Sequence, residues 1–157
     1  MRTICTIGYL LMLCPAAAAQ DTTDERPAMR YGLNAHLREF PQGTPKEALA
    51  SVILAMEQGR IDYLLAQLSN PEFVDNRVKQ VHGGKFEDLI SETRTKLNDN
   101  PAVIKELRHF LQDGDWQIAD NAASVQLKDL KNRQVHLKKI GERWFFENKQ
   151  SSKETKE

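Results

Sequence analysis

The rhythm of apolar residues changes near Trp116, and that change decides the fold class. Before it, apolar side chains recur three and four residues apart, the spacing that lines one face of a helix. Leu49, Val52, Ile53 and Met56 follow it, as do Ile61, Leu64, Leu65 and Leu68. Phe86, Leu89, Ile90 and Leu97 repeat it, and so do Val103, Ile104, Leu107 and Phe110. After Trp116 the spacing drops to two: Ala123, Val125 and Leu127 alternate with polar residues, and Val135 and Leu137 do the same. A period of two sends successive side chains to opposite faces of a strand. Helices first and strands last imply an α+β domain, with N-terminal helices packed on a C-terminal antiparallel β-meander.

Local signals place the elements. Thr44 and Glu47 flank Pro45 as a capping box, which opens a helix that Gly59 closes. Further helices are expected over about 61–68, 72–81, 85–97 and 102–112, with Gly114 ending the last. Strands are expected over 116–119, 122–130, 133–140 and 143–147, joined by short turns at Asp120-Asn121, Lys131-Asn132 and Gly141-Glu142. Residues 29–43 carry scattered apolar side chains without a period and read as an extended arm lying on the domain. The chain thus divides into a signal (1–19), a flexible leader and arm (20–43), one α+β domain (44–148) and a polar tail (149–157) expected to be disordered.

The first segment reads as an export signal. Arg2 precedes an apolar run from Ile4 to Leu13, Pro15 breaks it, and Ala17-Ala18-Ala19 offers a small-residue exit before Gln20-Asp21. The run is shorter than the roughly 20 residues that span a bilayer. Cleavage is expected between Ala19 and Gln20, giving a periplasmic or secreted protein with no membrane insertion of its mature part. Lipidation at Cys14 fits poorly, because Leu13 precedes it and Pro15 follows it.

Both cysteines, Cys5 and Cys14, lie in that signal, so the mature chain would hold no disulfide and no thiolate-bound metal. Without Arg2 the 22 basic side chains become 21 against 22 acidic ones, a formal charge of −1. Such balance gives nucleic acid or an anionic surface nothing to hold.

Two stretches carry a family resemblance. One is Thr44-Pro45-Lys46-Glu47-Ala48-Leu49 followed by Glu57-Gln58-Gly59-Arg60-Ile61-Asp62-Tyr63-Leu64-Leu65; the other is Lys138-Lys139-Ile140-Gly141-Glu142-Arg143-Trp144-Phe145-Phe146. Across about 44–148 the chain resembles the small exported members of the nuclear-transport-factor-2-like superfamily. The resemblance implies helices packed into the concavity of a curved sheet, a cone that in some members binds ligands. In others it houses isomerase or cyclase chemistry built on an Asp-His or Asp-Tyr pair. Residues 70–112 are more helical than that pattern, and only three or four strands are evident.

The residues that could carry such chemistry have structural readings as well. Asp62 falls in a first helical turn, where a carboxylate complements the helix dipole. Tyr63 reads as a core-rim residue with its hydroxyl in water. His136 alternates with Val135 and Leu137 and so faces away from the apolar side, and His109 lies with Glu106 and Asp113 opposite Leu107 and Leu111. His36 sits in the irregular arm. His82-Gly83-Gly84-Lys85 lacks the glycine spacing of a nucleotide loop and reads as a turn. No two histidines stand three or four apart, so neither metal nor cofactor is expected. Glu92 and Lys96 form a helical pair on a solvated face.

The aromatics remain. Trp144 and Phe146 share one face of the last strand and Phe145 takes the other. Tyr63, Trp116, Trp144 and Phe146 are the candidate ligand-binding residues of an apolar cavity between sheet and helices. The expectation is a non-catalytic exported domain that binds a small apolar ligand or a protein. The alternatives are an Asp62-Tyr63 or histidine-based cyclase or isomerase, and a module that dimerises through its sheet.

Overall fold

The computed structural model describes residues 28–147 except 129, 131 and 132. The segment expected to be an export signal, both cysteines, the leader up to Pro27, the expected turn at Lys131-Asn132 and the tail 149–157 lie outside the described residues. Five helices precede a four-stranded antiparallel sheet, so the fold is α+β with the helices first. Among the described residues no helix is long and apolar enough to cross a membrane.

The helix α1 (Pro45–Glu57) starts on Thr44, whose hydroxyl accepts the Glu47 N–H at 3.2 Å while Glu47 accepts the Thr44 N–H at 2.9 Å. These reciprocal bonds satisfy two donors that a helix start leaves orphaned. The helix buries Ala48, Leu49, Val52, Ile53 and Ala55. After Gly59, at φ +68°, comes α2 (Ile61–Tyr63), which widens at once into a π-helical turn over Leu64–Leu68. One straight α-helix over 61–68 was the sequence expectation. The difference lies in the wider ladder: Ser69 donates to the carbonyl of Leu64, five residues back, at 2.9 Å. All five residues of this turn are buried, Gln67 included. A turn enclosed on every side has no polar face to spare.

Asn70 caps α3 (Pro71–Val81), its side chain accepting from Glu72 N at 3.0 Å. Helices α4 (Phe86–Asp99) and α5 (Ala102–Asp113) follow. Strands β1 (Asp115–Ile118), β2 (Ala122–Gln126), β3 (Gln134–Ile140) and β4 (Arg143–Glu147) form a meander in chain order. Register places Val125 opposite Val135, Ala123 opposite Leu137 and Leu137 opposite Phe146, so these side chains share the face turned to the helices. β2 ends earlier than the alternation to Leu130 implies. The chain already turns at Leu127, whose carbonyl accepts Leu130 N at 3.2 Å.

Residues 30–43 are looped rather than extended. Arg30 and Leu33 exchange backbone bonds around a tight Tyr31-Gly32 turn, and a second turn at His36 leads to buried Phe40. This arm then seals the outer edge of the sheet. Gln42 accepts Trp144 N and donates its side-chain amide back to the Trp144 carbonyl, both at 2.9 Å. Asn70 N adds a bond to Phe146 O at 2.8 Å. An uncovered strand edge invites pairing with other chains, and here β4 offers none at these positions.

Candidate functional site

A cavity of about 700 Å³ lies between the helices and the sheet. Phe73 of α3 and Leu89 and Leu97 of α4 form one wall. Val103, Leu107 and Phe110 of α5 form another, Met56, Leu64 and Leu65 line the inner end, and Val135 and Phe146 form the sheet floor. The helical spacing explains the walls: on α5 the positions 103, 107 and 110 share one face.

Charged side chains surround this apolar interior. Glu92 on α4 accepts Arg77 Nη2 from α3 at 2.8 Å and the ammonium of Lys96 one helical turn on, both at Oε1. His82 Nε2 stands 2.9 Å from the other Glu92 oxygen, and Arg133 Nη1 stands 2.8 Å from Glu106 Oε1, neither contact with hydrogen-bond alignment. The ammonium of Lys96 is the main cause that holds the Glu92 carboxyl down at about 2, well below the usual 4.5, with Arg77 adding to it and burial opposing.

Of the sequence candidates, Phe146 lines this cavity; Tyr63, Trp116 and Trp144 are not among its lining residues. Trp144 is buried against the core. Trp116 is half-buried, its indole Nε1 is enclosed with no hydrogen-bond partner among the described residues, and the Lys46 ammonium lies 5.8 Å from its ring. Tyr63 is not at the rim. It is 0% exposed, its ring packs 4.5 Å from that of Phe40, and its hydroxyl accepts the His36 backbone N–H at 2.8 Å. Burial raises the pKa of that hydroxyl.

Tyr63 belongs to a second, internal polar cluster that sequence reading missed. Arg60 covers the Tyr63 ring at 4.8 Å, and Arg143 donates from one nitrogen to Gln42 Oε1 and Gln67 Oε1, each at 3.3 Å. Burial lowers the pKa of the Arg143 guanidinium. Gln67 also donates to the Leu33 carbonyl at 2.7 Å and the Ala28 carbonyl at 3.3 Å. These bonds tie arm, π-helical turn and β4 together, which makes the cluster a structural clamp. Its one visible sequence signal is Gln67 itself, a polar residue inside the apolar run Leu64–Leu68.

The potentially reactive groups stay apart. Asp62 is half-exposed, His36 is exposed, and His109 lies on the surface 3.6 Å from Asp113. His136 stands on the sheet face opposite Val135 and Leu137, across from Ser124 and Glu147. None of these four lines the cavity. Among the described residues no group of three or more His, Cys, Asp or Glu stands where it could hold a metal ion. Comparison with protein-family models, with curated proteins and with solved structures returned no match to this chain.

Proposed function

We propose that the protein is an exported, non-catalytic binding domain that holds a small apolar ligand between its helices and its sheet. The observation that carries this reading is the 700 Å³ cavity, in which eleven apolar side chains stand beside ten polar or charged ones. Ligand pockets commonly measure roughly 300–1,000 Å³ and are lined mainly by hydrophobic groups. In this reading Phe146 touches the ligand, Trp144 and Trp116 pack the floor and flank of the sheet, and Tyr63 anchors the arm behind it.

Displacement of Nile red tests the site. The dye is expected to bind the purified protein and to be released by apolar ligands, while Val103→Trp, which fills the cavity from α5, removes binding without unfolding the chain. Absence of dye binding, or full binding in the filled variant, would overturn the reading. Export is tested separately by sequencing the amino terminus of the protein recovered outside the cytoplasm, which is expected to begin at Gln20.

A further inference from the structure

The charges at the cavity mouth narrow the ligand class, on the reading just given that the cavity is a binding site. Six lining side chains carry charge: Arg77, Lys96 and Arg133 against Glu92, Glu106 and Glu147. The count balances, and the charges are already engaged. Arg77 and Lys96 share Glu92, Arg133 stands against Glu106, and Glu147 also has a partner. An anionic head would have to compete with Glu92 for Arg77 or Lys96, or with Glu106 for Arg133, and a cationic head would have to compete with those bases for a carboxylate. Neutral polar groups are in the opposite state. The side chains of Ser69, Thr93 and Asn100 line the same cavity and make no hydrogen bond among the described residues. Two hydroxyls and one amide supply both donors and acceptors without charge.

We propose that the cavity takes an uncharged amphiphile, an apolar chain ending in a hydroxyl, ester or amide, and discriminates against the corresponding carboxylate and ammonium ions. The apolar walls supply most of the attraction, and the free hydroxyls and amide orient the head. Each ion carries a hydration shell, and the mouth offers in exchange only charges that already face a partner.

Titration of the purified protein at neutral pH with dodecanol, monododecanoylglycerol, dodecanoate and dodecylammonium, each below its aggregation limit, tests this. The two neutral probes are expected to bind about tenfold tighter than either ion. Replacing Thr93 by Val and Asn100 by Leu is expected to weaken monododecanoylglycerol about fivefold and to leave a plain hydrocarbon probe unchanged. Glu92→Gln, which releases Arg77 and Lys96, is expected to improve dodecanoate relative to dodecanol. Dodecanoate or dodecylammonium binding as tightly as the neutral probes would overturn the neutral-ligand inference and leave the cavity as a site. Failure of all four probes together with Nile red would overturn the cavity reading itself.

Discussion

The ring of Tyr31 lies flat on the ring of Phe86, centroids 3.9 Å apart and planes 8° from parallel, although the Tyr31 backbone stands at φ +49°. That left-handed conformation costs a non-glycine residue about 1–2 kcal/mol. The stack and the bond from the Tyr31 hydroxyl to Asp75 Oδ1 at 2.7 Å hold the residue there and fasten the arm to α3 and α4. Arg30 reinforces the clasp through the same Asp75 oxygen and the carbonyls of Ala66 and Pro71.

Tyr31→Ala keeps the strained backbone and loses everything that offsets it, so it is expected to destabilise the fold by about 2–3 kcal/mol. Tyr31→Gly loses the same contacts and relieves the strain. It is expected to be milder than the alanine variant by about 1 kcal/mol. Urea denaturation of both variants checks the order, and an alanine variant as stable as the glycine variant would remove the clasp from this account.

The Tyr31 hydroxyl titrates at about 12 rather than 10, because partial burial, the bond to Asp75 and the charge of that carboxylate all disfavour the phenolate. A raised folded-state pKa contributes stability that is whole below the unfolded value and disappears as pH climbs through the folded one. The contribution of this residue is therefore complete below pH 10 and lost between 10 and about 12. Tyr31→Phe is expected to lose less stability than the parent chain across that window, while the buried Tyr63 hydroxyl contributes to both, as a comparison of melting temperatures would read.

At the acid end Glu92 has the opposite sign. Its carboxyl is depressed to about 2 from 4.5, chiefly by Lys96 and then by Arg77. Its stabilisation is present above pH 4.5 and fades as pH falls towards 2. Glu92→Gln is expected to cost about 1–2 kcal/mol at neutral pH, the yield of a partly screened ion cluster. Its stability should also fall less on acidification, which denaturation curves at pH 7 and pH 3 would show.

How much of this was readable beforehand follows sequence distance. The capping box spans three residues, the Glu92–Lys96 pair four, and the alternation of Ala123, Val125 and Leu127 is a property of one strand, so each shows in a short window. The pairing of Gln42 with Trp144 joins positions 102 apart, and that of Gln67 with Arg143 joins positions 76 apart. No local rule foretells those. The cavity floor was half legible: Phe146 follows from the strand period, whereas the wall residues Phe73, Leu97 and Val103 become neighbours only when three helices meet. The reading of Tyr63 as a rim residue failed because its hydroxyl partner, the His36 N–H, comes from a looped arm that has no periodic signal.

Gly114 joins α5 to β1 under close approach from two sides. A Cβ placed there would stand 2.2 Å from Val125 Cγ2 and 2.4 Å from the Phe110 carbonyl oxygen. The second contact is with backbone at the end of a helix and cannot be relieved by a rotamer change, so α5 would have to shift away from β2. Because α5 carries the wall residues Val103, Leu107 and Phe110, that shift would reach the cavity. Gly114→Ala is expected to lower stability by about 1–3 kcal/mol, the usual range for overpacking, and to weaken Nile red binding as well. Calorimetry and dye titration on this one variant separate the possibilities: unchanged stability would show that the helix end yields freely, and lost stability with intact dye binding would show that α5 moves without disturbing the cavity wall.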